Sequence, residues 1–525
     1  MTKIYLYDST LRDGGQTSTV NFGVKDKQEI SRKLDALNID YIEGGWPGAN
    51  PTDNEFFEDL PVLKNSKFSA FGMTRRIDRS AENDEGLNAL ANTDVSSICI
   101  VGKAWDFHLK HALKISEEEN LRMISDSITY LASKGKEVLF DAEHFFDGFK
   151  ANKEFSLNVI KAAYKAGSRW IVLCDTNGGS LPSEIKEIVS EVTKEIPGEN
   201  LGIHCHNDTE NAVANSLAAV EAGVRQIQGT LNGLGERCGN ANLTTLIPIL
   251  KLKLGYEISV SDEAIKGLTK TSHFLDDLLD RPRNNFAPFV GKFAFAHKGG
   301  LHVSAVAKNP ASYEHIDPEI VGNERLIMIS NQAGRSNILS RLKELNIEFP
   351  ENTKTSQVAN LVDKVKDLEA KGYAYDSADA SFELLVKRSL GIVPRFFELL
   401  GFRALDERRF NANGELTLVS EATVKVKIDD EIILKVAEGN GPVNALDNAL
   451  KKCLITKYPS LKDVYLTDYK VRILTPMDGT KAVTRVQIEL SDGVDKWSVI
   501  GVSQNIVDAS YEALNDGIIY KLLNE

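Results

Sequence analysis

The sequence predicts an α/β protein built on a (β/α)8 TIM barrel, followed by a mainly helical linker region and a C-terminal α+β domain. Over residues 1–255, short apolar runs alternate with helix-period segments, the pattern of a parallel sheet covered by helices. Eight strand–helix units match the size of a TIM barrel, whereas an open doubly wound sheet usually has fewer strands. Beyond about residue 401 the pattern changes to alternating strands with two helices.

The eight predicted strands are short apolar runs that lead into polar or glycine-rich turns. They begin at Ile4, Tyr41, Lys67, Ser96, Glu137, Arg169, Asn200 and Gln226. Between them, helices are predicted over 25–37, 152–166 and 181–196. A further helix should start after Ser116, because Ser116 and Glu119 have the spacing of a capping box, and it should stop at Gly135.

The region 256–400 is predicted to be mainly helical, with helices over 262–279 and 335–345. The tract 281–335 has no clear period and is too long for a plain linker, so we expect it to have a function or to be disordered. It contains His297, His302, Tyr313 and His315, whose side chains are of types that can carry chemistry. A lone histidine in a loop is usually solvated, so the pattern alone gives none of them a role.

The C-terminal domain, 401–525, is predicted to repeat a unit of strands followed by a helix. Its strands are expected over 416–428, 432–436, 464–474 and 483–490. Both helices have an Asn-x-x-Asp motif near their start, in one case Asn444 with Asp447 and in the other Asn505 with Asp508. The unpaired N–H groups of a helix N-terminus suit a carboxylate, so these residues are candidate contacts for a small amino acid. A plain dimerisation module is the alternative.

The composition disfavours several classes of partner. The 525 residues are 42% hydrophobic and 26% charged, with a formal net charge of −13, which disfavours nucleic acid and anionic membranes as partners. The five cysteines occur singly, without a Cys-x-x-Cys pair, as in proteins with reduced thiols. The sequence lacks a signal-peptide pattern and an apolar run long enough to span a bilayer. We therefore expect a cytoplasmic protein.

Two histidines in the seventh predicted strand mark a candidate metal site. In the run LGIHCHND, His204 and His206 point to one face of the strand and Cys205 to the other. Two imidazoles with one carboxylate form a set typical of open, catalytic metal sites. Asp13 at the end of strand one is the candidate carboxylate, because a barrel brings all strand ends to one mouth. Mg²⁺, Mn²⁺ or Zn²⁺ would fit. The alternative is one core-bonded histidine and one on a rim.

Other predicted strand ends also carry polar residues where a barrel places its catalytic groups. Arg12 precedes Asp13, and beside a metal it suits the stabilisation of an oxyanion or enolate. The remaining polar strand ends include Glu43, Asp141, Glu143, His144, Asp175, Thr176, Asn177 and Asn240. So many polar residues at consecutive strand ends favour a working active site.

Three motifs, Asp8-Ser-Thr-Leu-Arg-Asp-Gly-Gly-Gln16, His204-x-His206 and Gly235-Glu-Arg-Cys-Gly-Asn240, together resemble those of the 2-isopropylmalate, homocitrate and citramalate synthases. These enzymes are metal-dependent TIM barrels that catalyse Claisen condensations, and the resemblance covers nearly the whole chain. The tract EGGWPGANPTD, 43–53, is most similar to the citramalate branch. The resemblance implies that the protein condenses acetyl-CoA with pyruvate and water to give (R)-citramalate and CoA. This reaction would be an early step in a pyruvate route to isoleucine.

The resemblance implies roles residue by residue. The metal ligands would be Asp13, His204 and His206, with Asn240 nearby. Arg12 would stabilise the oxyanion or enolate and contact substrate, and Thr176 would hold the keto-acid carboxylate. The catalytic proton transfer would fall to Glu143 and His302, supported by Tyr313, with His297 as the rival of His302. The C-terminal domain would bind an end-product amino acid, isoleucine or else leucine, in a homodimer.

Three functions remain open at this point. The first is the Claisen condensation, with 2-isopropylmalate or homocitrate synthesis as variants, because one methylene changes discrimination by only about 1–3 kcal/mol. The second is carbon–carbon cleavage on the same barrel, as in hydroxymethylglutaryl-CoA lyase or hydroxy-oxovalerate aldolase, which would not need residues 256–525. The third is an amino-acid-binding regulatory protein with an inactive barrel, which the intact polar strand ends disfavour.

Overall fold

The computed structural model describes residues 2–327, 355–410 and 412–525. It divides the chain into two compact units. The first consists of Met1–Phe295 with Ile316–Arg325, and the second of Ala296–His315 with Leu326–Glu525. The predicted helix 335–345 lies outside the described residues.

Eight parallel strands close into a barrel in the first unit, which confirms the predicted fold. Strands two to eight pair in chain order, and the first strand closes the sheet between the eighth and the second. The strands are β1 Lys3–Asp8, β2 Tyr41–Gly45, β3 Lys67–Met73, β4 Ser97–Lys103, β5 Glu137–Glu143, β6 Trp170–Asp175, β7 Leu201–Cys205 and β8 Gln226–Gly229. Each predicted start lies within about one residue of the observed one. A short strand β9, Glu257–Ile258, pairs with the start of β1.

Helices follow the strands and supply the outer layer. They are Val24–Ala36, Pro51–Glu58, Glu85–Ala91, Asp106–His108, Glu117–Ser133, Phe145–Ala151, Lys153–Lys165, Pro182–Val192, Ala212–Glu221, Leu243–Pro248 and Leu268–Leu278. The predicted helix start at Ser116 is confirmed, since its hydroxyl accepts a hydrogen bond from the backbone N–H of Glu119 at 3.2 Å. Gly135, at φ +79°, follows the end of that helix.

The barrel strands bury a different core on each face. Leu6 and Ile98 belong to the large core between strands and helices, whereas Tyr7 and Trp170 belong to a separate cluster inside the barrel. Alternation of side chains along each strand produces this division. Toward the carboxyl ends of the strands, the buried side chains are polar, namely Glu43, Asp141, His204 and Gln228. The candidate site lies at this polar layer.

Residues 281–327 are the described part of the tract 281–335, which was predicted to be irregular. They contain a helix, so the prediction is wrong there. Helix Gly300–Lys308 lies inside this tract, and the two-residue strand β10, Ala296–His297, pairs in parallel with β11, Leu326–Ile327. The helix has only nine residues and begins in a glycine pair, so its period is too short to stand out. Two further helices, Thr355–Ala370 and Asp379–Ser389, precede the C-terminal sheets.

The C-terminal part of the second unit contains two antiparallel three-stranded sheets, each followed by a helix, which confirms the predicted α+β class. The first half of the repeat consists of β12 Glu398–Phe410, β13 Leu416–Ile428, β14 Glu431–Gly439 and helix Pro442–Leu454. The second half consists of β15 Tyr465–Ile473, β16 Thr484–Ser491, β17 Lys496–Ser503 and helix Ile506–Leu523.

Two strands of these sheets, β12 and β17, were absent from the predicted set. The second half of β12 is highly charged and exposed, so no buried face alternates with a polar one. β12 also begins at Glu398, before the predicted domain boundary at residue 401. Among the described residues, no helix is both long and apolar enough to cross a membrane.

Candidate active site

Asp13, His204 and His206 lie together at the carboxyl ends of the barrel strands. Nε2 of His204 is 3.3 Å from Oδ2 of Asp13 and 3.4 Å from Nε2 of His206. All three residues are buried, and one ligand atom from each lies within 4.8 Å of the others. The three residues that the sequence nominated as metal ligands therefore share one site, which we call the metal triad.

The environment of the metal triad gives Asp13 and His206 the protonation states of metal ligands. Burial acts to raise the pKa of Asp13, but the charge of Arg12 and the contact with His204 outweigh it and hold that pKa well below its usual value. Burial and the neighbouring His204 lower the pKa of His206 to about 3. At neutral pH the site thus presents a carboxylate and at least one neutral imidazole, which metal binding requires.

Several buried polar atoms at the metal triad lack a hydrogen-bond partner among the described residues. They are Oδ1 of Asp13, Nδ1 of His206 and both amide atoms of Asn240. Asn240 and His206 form an isolated β-bridge, so they are backbone neighbours. Buried polar atoms in folded proteins are nearly always paired, and carboxylate, amide oxygen and imidazole are suitable ligands for a divalent cation. The residues present therefore fit the implied metal.

Arg12 is held beside the metal triad by three contacts. Its Nη1 lies 3.2 Å from Oδ2 of Asp13, and its Nε donates a 2.7 Å hydrogen bond to Oε2 of Glu43. The guanidinium stacks over the ring of Phe71 at 3.9 Å. Glu43 in turn accepts a 2.8 Å hydrogen bond from the hydroxyl of Tyr7 inside the barrel. A fixed cation in this position suits the stabilisation of developing negative charge.

A cavity of about 310 Å³ opens beside the metal triad. Its lining includes Arg12, Glu143 and Thr176, which the sequence had nominated for catalysis and substrate binding. Trp46 and Phe71 also line the cavity. The cavity therefore unites the barrel residues of the predicted site, with the exception of Asn240.

Glu143 and Thr176 sit at the carboxyl ends of β5 and β6. Glu143 forms an ion pair with Lys103, the last residue of β4. The hydroxyl of Thr176 accepts a 2.9 Å hydrogen bond from the backbone N–H of His144. Sequence reasoning missed Lys103, although its place at the end of a barrel strand was the available signal.

His302 and Tyr313 belong to the second unit, where they form a pair. Their rings stack with centroids 4.0 Å apart, and both side chains are exposed. His297 is buried instead, with its Nε2 3.0 Å from Oε1 of Glu314. His302 is therefore accessible for chemistry beside Tyr313, whereas His297 is committed to a buried contact.

The four predicted effector residues all make local contacts in the second unit. Asn444 accepts from the N–H of Asn440, Asp447 from Lys451, Asn505 from the N–H groups of Val507 and Asp508, and Asp508 from Ser503. Asn505 is the N-cap of its helix, but Asn444 is the third residue of its helix. The assumed equivalence of the two motifs is therefore wrong, and effector binding by these residues stays a prediction.

Three protein-family models together match nearly the whole chain. Residues 3–272 match the HMGL-like family, residues 289–373 the homocitrate synthase post-HMGL domain-like family, and residues 376–522 the LeuA allosteric (dimerisation) domain. These three matches follow one another along the chain in the order barrel, linker region and C-terminal sheets.

Comparison with curated proteins gives full-length relatives. The (R)-citramalate synthase of Aquifex aeolicus is 48% identical over 525 residues, covering 100% of this chain and 98% of the relative. That of Geobacter sulfurreducens is 49% identical over 524 residues, covering 99% and 98%. The 2-isopropylmalate synthase of Methanocaldococcus jannaschii is 31% identical over 522 residues, covering 98% and 94%.

Proposed function

The chain belongs to the (R)-citramalate synthase family, and from this premise we propose that it condenses acetyl-CoA with pyruvate and water to give (R)-citramalate and CoA. The observation that carries the proposal is the single cavity lined by the metal triad, Arg12 and Glu143. The choice of pyruvate rests on the relatives named citramalate synthase, which share nearly half of their residues with this chain.

Asp13, His204 and His206 would hold the divalent cation, Mg²⁺, Mn²⁺ or Zn²⁺, and Asn240 would contribute from beside His206. When bound, the cation supplies Lewis-acid polarisation of the keto-acid oxygens. Thr176 binds the carboxylate of pyruvate at the end of β6. The large side chains of Trp46 and Phe71 in the cavity lining are compatible with a small 2-keto acid such as pyruvate.

Glu143 acts as the base that removes a proton from the methyl group of acetyl-CoA. Lys103 holds the carboxylate of Glu143 at the end of β5. Arg12 stabilises the negative charge that develops on the thioester oxygen as the proton leaves, because its guanidinium is already fixed by Glu43 and Phe71. His302 assists this proton transfer.

The carbanion carbon of the acetyl group then bonds to the keto carbon of pyruvate, whose oxygen takes up a proton to become the tertiary hydroxyl. Water hydrolyses the thioester, so that the thiol of CoA leaves and the second carboxylate of citramalate forms. Tyr313, stacked on His302, supports that histidine. The balance is one acetyl-CoA, one pyruvate and one water consumed, and one citramalate, one CoA and one proton released.

The C-terminal domain is proposed to assemble a homodimer and to bind isoleucine as a feedback effector. The match of residues 376–522 to the LeuA allosteric (dimerisation) domain supports both roles. Isoleucine is the expected effector because citramalate would feed its synthesis, and leucine is the alternative for a different keto acid. The five cysteines are all free, which supports a cytoplasmic enzyme.

Identification of the product tests this function. The full chain is incubated with acetyl-CoA, ¹³C-labelled pyruvate and Mn²⁺, and the product is analysed by NMR and chiral chromatography. The proposal requires one labelled product, (R)-citramalate, formed in equal amount to free CoA. Free CoA without a new carbon–carbon bond would mean simple thioester hydrolysis and would overturn the proposal.

A further inference from the structure

Gln228 in β8 links His204 to Asp141 inside the barrel. Nδ1 of His204 lies 2.9 Å from Oε1 of Gln228, and Nε2 of Gln228 donates a 3.0 Å hydrogen bond to Oδ1 of Asp141. The exposed fractions of His204, Gln228 and Asp141 are 5%, 0% and 4%. Two hydrogen bonds, shielded from water, therefore connect a residue of the metal triad to β5.

We propose that Gln228 and Asp141 are positioning residues that set the tautomer of His204 and so prepare its Nε2 to bind a metal. The proposal rests on the proposed metal site, but it does not depend on the identity of the substrates. In the described structure neither residue is hydrogen-bonded to Asp13 or His206, and the hydrogen-bonded route from the pair to the metal triad passes through His204.

The direction of each hydrogen bond follows from donor and acceptor chemistry. Oδ1 of Asp141 is an acceptor, so it selects the amide nitrogen of Gln228 rather than the amide oxygen. This choice orients the Gln228 amide and leaves Oε1 facing His204. An amide oxygen only accepts, so Nδ1 of His204 must carry the proton. A protonated Asp141 keeps the same role when its proton is on Oδ2.

The tautomer of His204 then decides what Nε2 can do. A neutral imidazole has one N–H, so a proton on Nδ1 leaves a lone pair on Nε2. That Nε2 is the atom 3.3 Å from Asp13 and 3.4 Å from His206. Mutation of the residue that hydrogen-bonds the second ring nitrogen of a metal-binding histidine typically lowers metal affinity by about 10–100-fold.

Gln226 shows that this network is specific to position 228. It precedes Gln228 by two residues on β8, points to the same face of the strand and is equally buried at 0% exposure. Yet neither atom of the Gln226 amide has a hydrogen-bond partner among the described residues. Gln226 therefore offers a matched control of the same residue type, strand and face.

The test measures the affinity of the metal-free full chain for Mn²⁺ and Zn²⁺ by titration calorimetry. Gln228→Leu should weaken binding by about 10–100-fold, and Gln226→Leu should stay within about twofold of the wild type. Circular dichroism of the metal-free variants verifies that both fold. The visible spectrum of bound Co²⁺ reports the geometry of the site and should change only for Gln228→Leu.

A double variant tests the tautomer argument directly. In Asp141→Asn combined with Gln228→Glu, the new amide donates to the new carboxylate, whose other oxygen accepts from Nδ1 of His204. The same tautomer is restored with the donor and acceptor roles of the pair exchanged, so affinity should return to within about threefold of the wild type.

Three results would overturn the proposal. The first is wild-type metal affinity in Gln228→Leu. The second is a loss of metal affinity in Gln226→Leu that equals the loss in Gln228→Leu. The third, which applies where Gln228→Leu folds poorly, is weak metal binding by a folded double variant. A wild-type chain that binds neither ion would instead overturn the proposed metal site itself.

Discussion

Nε2 of His204 and Nε2 of His206 lie 3.4 Å apart inside the barrel mouth, while Cys205 between them packs in the helix-facing core. Two ring nitrogens this close can share a cation or one proton. The low pKa of His206, about 3, keeps the second imidazole neutral and available. We therefore expect metal binding to depend on this pair.

Loss of one ligand should remove the metal without unfolding the barrel. We predict that His206→Ala abolishes both metal retention after desalting and turnover, because the remaining two ligands hold a cation poorly. Metal content by mass spectrometry and circular dichroism measure the two effects. Cys205→Ala is the control and should retain metal. Stoichiometric metal in His206→Ala would refute the assignment.

Removal of the proposed base, Glu143, should slow the reaction and spare binding of pyruvate. Glu143→Gln is predicted to lower kcat by about 10²–10⁴-fold, the range for general acid–base groups, with little change in the KM for pyruvate. Glu137→Gln, at the opposite end of the same strand β5, should keep near wild-type kcat. A loss below tenfold for Glu143→Gln would remove it from the role of base.

The two rival histidines should separate activity from stability. His302 is exposed and stacked on Tyr313, so His302→Ala should lower kcat with little effect on thermal unfolding. His297→Ala removes a hydrogen bond from the buried Glu314 and should cost about 1–3 kcal/mol of stability. Steady-state kinetics and calorimetry distinguish them. The reverse pattern would make His297 the catalytic residue.

Asp35 should make stability depend on pH. Burial acts to raise its pKa, but hydrogen bonds from the N–H groups of Lys64, Asn65 and Ser66, at 3.0, 2.8 and 2.8 Å, outweigh it and lower the pKa. A lowered pKa contributes stability that is present above about pH 4, the unfolded value, and is lost as the pH falls through the folded value.

Asp35→Asn is therefore predicted to destabilise the protein at pH 7 by about 1–3 kcal/mol and by progressively less below pH 4. Thermal unfolding of both proteins from pH 7 to pH 3 measures the difference. Asp59 is exposed, so Asp59→Asn is the control and should change stability little. A difference that grows toward low pH would contradict the assigned direction.

Isoleucine should inhibit the full chain through the C-terminal domain. Coupling between allosteric sites is typically about 1–3 kcal/mol, which corresponds to an inhibition of roughly 5–150-fold. If the helix start at Asn505 contacts the effector, Asn505→Ala should weaken inhibition and leave the uninhibited rate unchanged. Asn152→Ala, which removes the N-cap of a barrel helix, is the matched control. Equal inhibition of all three proteins would place the effector elsewhere.

The barrel was predictable because its strands are short apolar runs with polar ends, and this pattern is local. The metal triad was predictable because His204, in β7, and His206, directly after β7, present their rings to the same side, and barrel closure brings Asp13 beside them. Partners on neighbouring strands were harder to predict. Gln228 and Lys103 owe their roles to neighbours on other strands, and only the register β7–β8 and β4–β5 brings them into contact.

In the second unit, strand β12 escaped prediction because it is charged along much of its length and shows no period-two pattern. The helix Gly300–Lys308 escaped it because nine residues after a glycine pair carry a weak periodic signal. The two Asn-x-x-Asp motifs looked equivalent in sequence. Their helices begin at different distances from the motif, because Pro442 fills the first position of one helix and Asn505 caps the other.

The release of free CoA thiol from acetyl-CoA with a panel of 2-keto acids tests the central claim most directly. The full chain is assayed with pyruvate, 2-oxobutyrate, 2-oxoisovalerate and 2-oxoglutarate, each with Mn²⁺ and after removal of metal by a chelator. We predict the highest kcat/KM for pyruvate, and no release above background without metal. A higher kcat/KM for 2-oxoisovalerate or 2-oxoglutarate, or full activity without metal, would contradict the account.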